Sequence, residues 1–136
     1  MAPVTADRLR AFFGADSRGA IAAYLFGSVA RGDDAFTSDV DVAILFDAPP
    51  AQQLLGPALT LAGDLERLLG RAVDLVVLNS APADLVHRIL RDGILVLDRD
   101  RARRIRFEVA RRNEYFDLEP IRRQYRTPRS PDAVPR

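Results

Sequence analysis

Between Tyr24 and Phe46 the chain reads YLFGSVARGDDAFTSDVDVAILF, and two carboxylates, Asp39 and Asp41, break into an otherwise apolar run. The stretch predicts a strand over Ala20 to Phe26, a Gly-Ser turn, a polar loop and a second strand over Asp39 to Phe46. Side chains on a strand alternate between faces. Asp39, Asp41 and Ala43 therefore share one face, while Val40, Val42 and Ile44 share the other. The two acids sit roughly 6–7 Å apart on one side of a sheet whose reverse is buried. Like charges held that close repel unless a cation lies between them. Asp-x-Asp on a strand is thus a natural ligand pair for Mg²⁺, a hard cation that takes oxygen donors. The bland alternative, a solvated hairpin with acidic turn residues, would leave two strand-weakening aspartates in Val-Asp-Val-Ala-Ile-Leu with nothing gained.

The Gly27-Ser28 turn supplies the complementary half. Glycine lets backbone approach a ligand closely. The N–H groups that follow, where a short helix opens over Val29 to Arg31, point toward an anion. Ser28 adds a hydroxyl donor and Arg31 a guanidinium fork suited to phosphate. A phosphate cradle followed by metal-binding carboxylates is the layout that holds a nucleoside triphosphate through its Mg²⁺.

Around this centre the chain reads as a small α/β protein. Thr5 is a plausible N-cap for a helix over Ala6 to Phe13, which Gly14 stops. After Asp47-Ala-Pro-Pro, leucines and alanines at helical spacing predict a helix from about Ala51 to Leu69, closed by Gly70. Pro57 either kinks that helix or marks its true start. A β-branched run, Ala72 to Leu78, predicts a third strand with Asp74 embedded in it. A bare carboxylate among apolar neighbours needs a partner. If this strand lies beside the second, Asp74 joins Asp39 and Asp41; otherwise it is an edge-strand residue facing water. Pro82 opens a helix that Gly93 closes, and Ile94 to Leu97 is a short strand. His87, the only histidine, reads as half-buried filler, Asp33 and Asp34 as a solvated turn, and Asp64 and Glu66 as the polar face of their helix. An Arg-rich helix runs from Asp100 to about Phe116. The order of elements predicts a mixed sheet with helices packed on one face plus a C-terminal helix.

At 136 residues the chain is long enough for one core, so residues 1–126 are expected to form a single domain and 127–136, with three prolines and no apolar pattern, a disordered tail. Cysteine is absent, no leader-like apolar run opens the chain, and eighteen consecutive apolar residues occur nowhere. A soluble cytoplasmic protein is expected. All 20 basic residues are arginine, which excludes a P-loop lysine and Schiff-base chemistry. Residues 1–98 hold 8 Arg against 13 acids, residues 99–136 hold 12 Arg against 6 acids. That basic C-terminal segment either tracks a phosphate backbone or forms a helix face that docks a protein. The interspersed acids and the lack of a stacking pattern favour docking over direct nucleic-acid binding. Tyr115, Phe116 and Tyr125 are candidate anchors there, or else close the core.

GSVARG followed by SDVDVAILF resembles the Gly-Ser…Asp-x-Asp signature of the polymerase-beta-like nucleotidyltransferase superfamily. Within it, GSxARG with SDxD is similar to the minimal nucleotidyltransferases, specifically antitoxins that pair with HEPN-domain ribonuclease toxins, and RNEYFDLEP is like their C-terminal stretch. The resemblance implies the small nucleotidyltransferase fold and two Mg²⁺ ions, both bound by Asp39 and Asp41. It implies Asp74 on the catalytic ion, placed to help deprotonate the acceptor. Gly27, Ser28 and Arg31 would hold the phosphates, with Ser38 a further candidate. The implied reaction moves AMP from ATP to a tyrosine of the cognate toxin and silences it. Two alternatives remain: an antitoxin that only binds the toxin, and transfer of a nucleotidyl group to a small molecule. With one helix and a tail after Leu97, no second domain is available to hold a template or drug.

Overall fold

The computed structural model describes residues 4–33, 38–47 and 55–126. The expected tail over 127–136, Asp34, the expected helical start over 51–54 and the side chain of Tyr125 lie outside the described residues. Four strands, β1 (Ala20–Phe26), β2 (Val40–Phe46), β3 (Val73–Val77) and β4 (Ile94–Asp98), form one sheet in the order β3-β2-β1-β4. The helices are α1 (Val4–Ala15), α2 (Gly27–Arg31), α3 (Leu55–Leu69), α4 (Ala83–Asp92) and α5 (Arg101–Arg126). β1 pairs antiparallel with both β2 and β4, while β2 and β3 run parallel, so the sheet is mixed as expected.

The helices cover both faces of this sheet, not one. Ala6, Leu9 and Phe13 of α1 and Leu61, Leu65 and Leu69 of α3 pack with Val40, Val42, Ile44 and Phe46 of β2. Val86 and Ile89 of α4 and Phe107 of α5 pack with Tyr24, Ala43 and Leu45 on the reverse. The cause is topological. The β2-α3-β3 crossover steps outward along the sheet, and the β3-α4-β4 crossover returns across it to the opposite edge. Crossovers between parallel strands are right-handed almost without exception, so reversing the direction of travel moves the connecting helix to the other face. β1 serves both layers. A bulge near Ala22 places Ile21 and Ala22 in succession on the α4 side, with Ala20, Ala23 and Leu25 on the other.

Element ends differ from expectation in instructive ways. Thr5 and Gly14 lie inside α1 rather than capping it. Pro57 falls in the first turn of α3, where its missing N–H costs no helical bond. Asp100, just ahead of α5, caps it by accepting the Arg103 backbone N–H at 3.1 Å. α5 does not end near Phe116 but runs through Pro120 to Arg126, about 39 Å in all.

The inner arginines of α5 are structural. Arg104 lies 3.0 Å from Asp98 and donates to Glu108 at 2.9 Å, and the Tyr24 hydroxyl donates to the same carboxylate at 2.5 Å. Burial first, and Glu108 second, push the Tyr24 phenol far above its ordinary range, so it remains a donor. Arg103 pairs with Asp47, and Arg111 donates to the Ala81 carbonyl. Tyr115 stacks on His87 of α4, ring centroids 3.9 Å apart, whereas Phe116 stays 55% exposed. Tyr115 thus joins α4 to α5, and Phe116 meets the His87 and Tyr115 rings edge-on while more than half of it stays exposed. Among the described residues no helix is long and apolar enough to cross a membrane.

Candidate active site

Antiparallel pairing sets Phe26, the last residue of β1, directly across from Asp41 on β2. The next residue, Gly27, therefore turns back over the Asp41 side chain. It does so with φ +78°, and a Cβ at that position would lie 2.1 Å from Asp41 Oδ2. The close approach seen at Gly27 is to the carboxylate of the second motif.

Asp41 projects from the α4 side of the sheet, since Val40 and Val42 are buried on the α3 side. Parallel register pairs it with Asp74 of β3. The two strands are about 4.8 Å apart, which puts both acids at neighbouring positions on one face. Asp74 is exposed, at the edge of the sheet, so the two alternatives left open for it both hold in part: it lies beside β2 and it faces water. Asp39 precedes β2 by one residue and is exposed. The Asp41 carboxyl is pushed above the usual carboxylate range, first by burial, then by the charges of Asp74 and Asp39, with Arg31 opposing. A carboxylate disfavoured by two neighbouring carboxylates fits a hard divalent cation such as Mg²⁺. As the side chains stand, no three His, Cys, Asp or Glu among the described residues converge on a single ion position.

Beside Asp41 a cavity of about 250 Å³ is lined by Phe26, Gly27, Arg31, Asp41 and, from α4, Leu85, Arg88, Ile89 and Asp92. Of the residues picked from the sequence, Gly27, Arg31 and Asp41 line it. Ser28 sits half-buried in α2 next to them, and Arg31 forms an exposed pair with Asp33 at 3.3 Å. Ser38 is half-buried, and its backbone carbonyl accepts two hydrogen bonds from Arg71, at 3.1 and 2.7 Å. Those bonds anchor the entry to β2, a structural duty the sequence did not announce. The α4 wall was also missed, although Leu85, Arg88, Ile89 and Asp92 fall at i, i+3, i+4 and i+7, one stripe of a helix.

A model of the family described as "Polymerase beta, Nucleotidyltransferase" matches residues 13–102. Protein adenylyltransferase MntA of Thermococcus cleftensis is 36% identical over 72 residues, 53% of this chain and 70% of the relative. A toxin–antitoxin crystal structure with AMP-PNP superposes with TM-score 0.73 at 24% identity, covering 88% of this chain and 94% of that one. A tri-AMPylated Shewanella oneidensis HEPN toxin in complex with an MNT antitoxin gives TM-score 0.68 at 22% identity, covering 92% and 95%. These structural likenesses carry the fold, and the family match carries the class of chemistry. From the end of α1 to the start of α5, the chain belongs to the polymerase beta nucleotidyltransferase family.

Proposed function

We infer that this chain is an antitoxin that transfers AMP from ATP to a tyrosine hydroxyl of a HEPN-domain ribonuclease toxin. The observation that carries the reading is the seating of Gly27 on Asp41, which joins the phosphate turn and the acidic strand into one cavity with Asp74 in register alongside. A relative named as a protein adenylyltransferase, and the AMPylated toxin in a structure of the same fold, support a protein acceptor.

In the transfer, the tyrosine oxygen attacks the α-phosphorus, the bond from that phosphorus to the bridging oxygen breaks, and pyrophosphate leaves. Asp74, exposed at the sheet edge, is the carboxylate open to an incoming acceptor and takes the phenolic proton. Asp39 and Asp41 would hold two Mg²⁺ ions, with Asp74 sharing one. When bound, the metal neutralises triphosphate charge and acidifies the attacking hydroxyl. Arg31 and the Gly27-Ser28 backbone orient the phosphates, and Phe26 and Leu85 provide an apolar wall that strengthens those charge contacts. The toxin docks on the outer stripe of α5, where Ile105, Val109 and Phe116, spaced by 4 and 7 residues, remain exposed.

The test is label transfer: this protein, Mg²⁺, ATP labelled at the α-phosphate, and the product of the neighbouring gene as candidate toxin, with Asp39→Asn in parallel. Label on the toxin, lost in the variant, is the expected result. A stable complex without label would make the protein a binding antitoxin, and label released on a small product without the toxin would make it a small-molecule transferase.

A further inference from the structure

The α4 stripe carries a second guanidinium into the cavity. Arg88 lines it together with Gly27, Arg31 and Asp41, yet lies more than 45 residues beyond the Asp-x-Asp motif. Two of the charged groups beside it are already matched. Asp92 accepts two hydrogen bonds from Arg91, at 3.0 and 2.9 Å, and Arg31 has Asp33. Arg91 and Arg31 both hold the Asp92 carboxyl below its ordinary range, the Arg91 hydrogen bond foremost. Arg88 makes no ion pair or hydrogen bond among the described residues, although the exposed Asp84 lies one turn behind it on α4. Two arginines from different helices, lining one cavity beside half-buried Phe26 and Leu85, call for a polyanion rather than for a single carboxylate.

We propose that Arg88 binds the β- and γ-phosphates of ATP together with Arg31, and so holds pyrophosphate as it departs. This deepens the transferase reading and rests on it. A group that acts on the leaving phosphates contributes to binding of ATP but not of AMP. It also strengthens as negative charge develops on the departing oxygen. No covalent role falls to Arg88, because a guanidinium does not release its proton in this range.

The test is calorimetric binding of a non-hydrolysable ATP analogue and, separately, of AMP, to wild type, Arg88→Ala and Arg88→Lys. Arg88→Ala is expected to weaken the analogue by about ten- to a hundredfold, the loss of charge-assisted hydrogen bonds, and to leave AMP binding unchanged. Arg88→Lys should recover part of that loss, because it keeps the charge but not the fork. Inhibition of transfer by pyrophosphate should weaken in step with the analogue. Equal analogue affinity in wild type and Arg88→Ala would overturn the proposal while leaving the transferase reading intact. So would an equal loss for both ligands. A wild-type protein that binds neither ligand would overturn the transferase reading and this proposal with it.

Discussion

Replacing Gly27 by alanine separates two costs that the structure makes distinct. The first is conformational: φ +78° is the left-handed region, and a Cβ there costs roughly 1–2 kcal/mol. For a chain of this size that loss lowers Tm by roughly 4–10 °C. The second is steric and falls on one group. The new Cβ would lie 2.1 Å from Asp41 Oδ2 and 3.0 Å from its Cγ. Ordinary contact begins above 3 Å, so the carboxylate must retreat by about 1 Å. The backbone of β2 cannot yield, because it is paired to Phe26 on one side and Asp74 on the other. The side chain therefore rotates away from its place in the site. A misplacement of that size costs on the order of a hundredfold in rate. Gly70→Ala is the control: its φ is +69°, with nothing within 4 Å of an added Cβ. Both variants should melt earlier by similar amounts, and only Gly27→Ala should lose label transfer, by about a hundredfold. Transfer by Gly27→Ala within a few-fold of wild type would refute the reasoning, as would an equal loss in Gly70→Ala.

In the presence of a chelator, Asp41→Asn should raise Tm, because it removes a carboxylate that burial and the charges of Asp74 and Asp39 already disfavour. Added Mg²⁺ should then raise Tm of wild type but not of the variant; a chelated variant that melts below wild type would contradict the repulsion. Asp64 accepts a hydrogen bond from Arg18 at 2.5 Å and pairs with Arg67, and the Arg18 bond foremost holds its carboxyl below the usual range. A lowered carboxylate stabilises the fold above its unfolded pKa, near 4, and loses that contribution as pH falls through its folded value. Asp64→Asn should accordingly melt below wild type at pH 7, with the gap closing in acid; a gap constant with pH would count against the pair. Phe116→Arg should keep the fold, losing only the edge contacts to His87 and Tyr115, and abolish co-elution with the toxin; undiminished co-elution would remove α5 as the docking surface.

What could be read from the sequence follows from where the chemistry is local. The alternation of Val40, Asp41 and Val42 fixes which face Asp41 occupies, and pairing then brings Asp74 beside it. The first fact rests on a period of two and needs no tertiary knowledge, whereas the second waits on β3 lying beside β2 in this register. The two-sided packing was hidden because it depends on the order of strands in space. No local pattern tells α3 from α4, since each is amphipathic and each buries one stripe. The passage of α5 through Pro120 was hidden for a related reason: proline reports a missing bond, and anchorage earlier in the helix, from Arg103 to Arg111, decides whether the helix survives it. Arg88 was hidden because an arginine on a helix is ordinarily solvated, and only the return of α4 over the Asp41 face makes it part of a site. The carboxylates thus stand on or beside paired strands, where register sets their spacing, while the cations stand on α2 and α4. A change in how α4 packs would shift Arg88 relative to Asp41 without disturbing Asp41 against Asp74. Substrate grip can then vary in this fold while the acidic pair stays fixed.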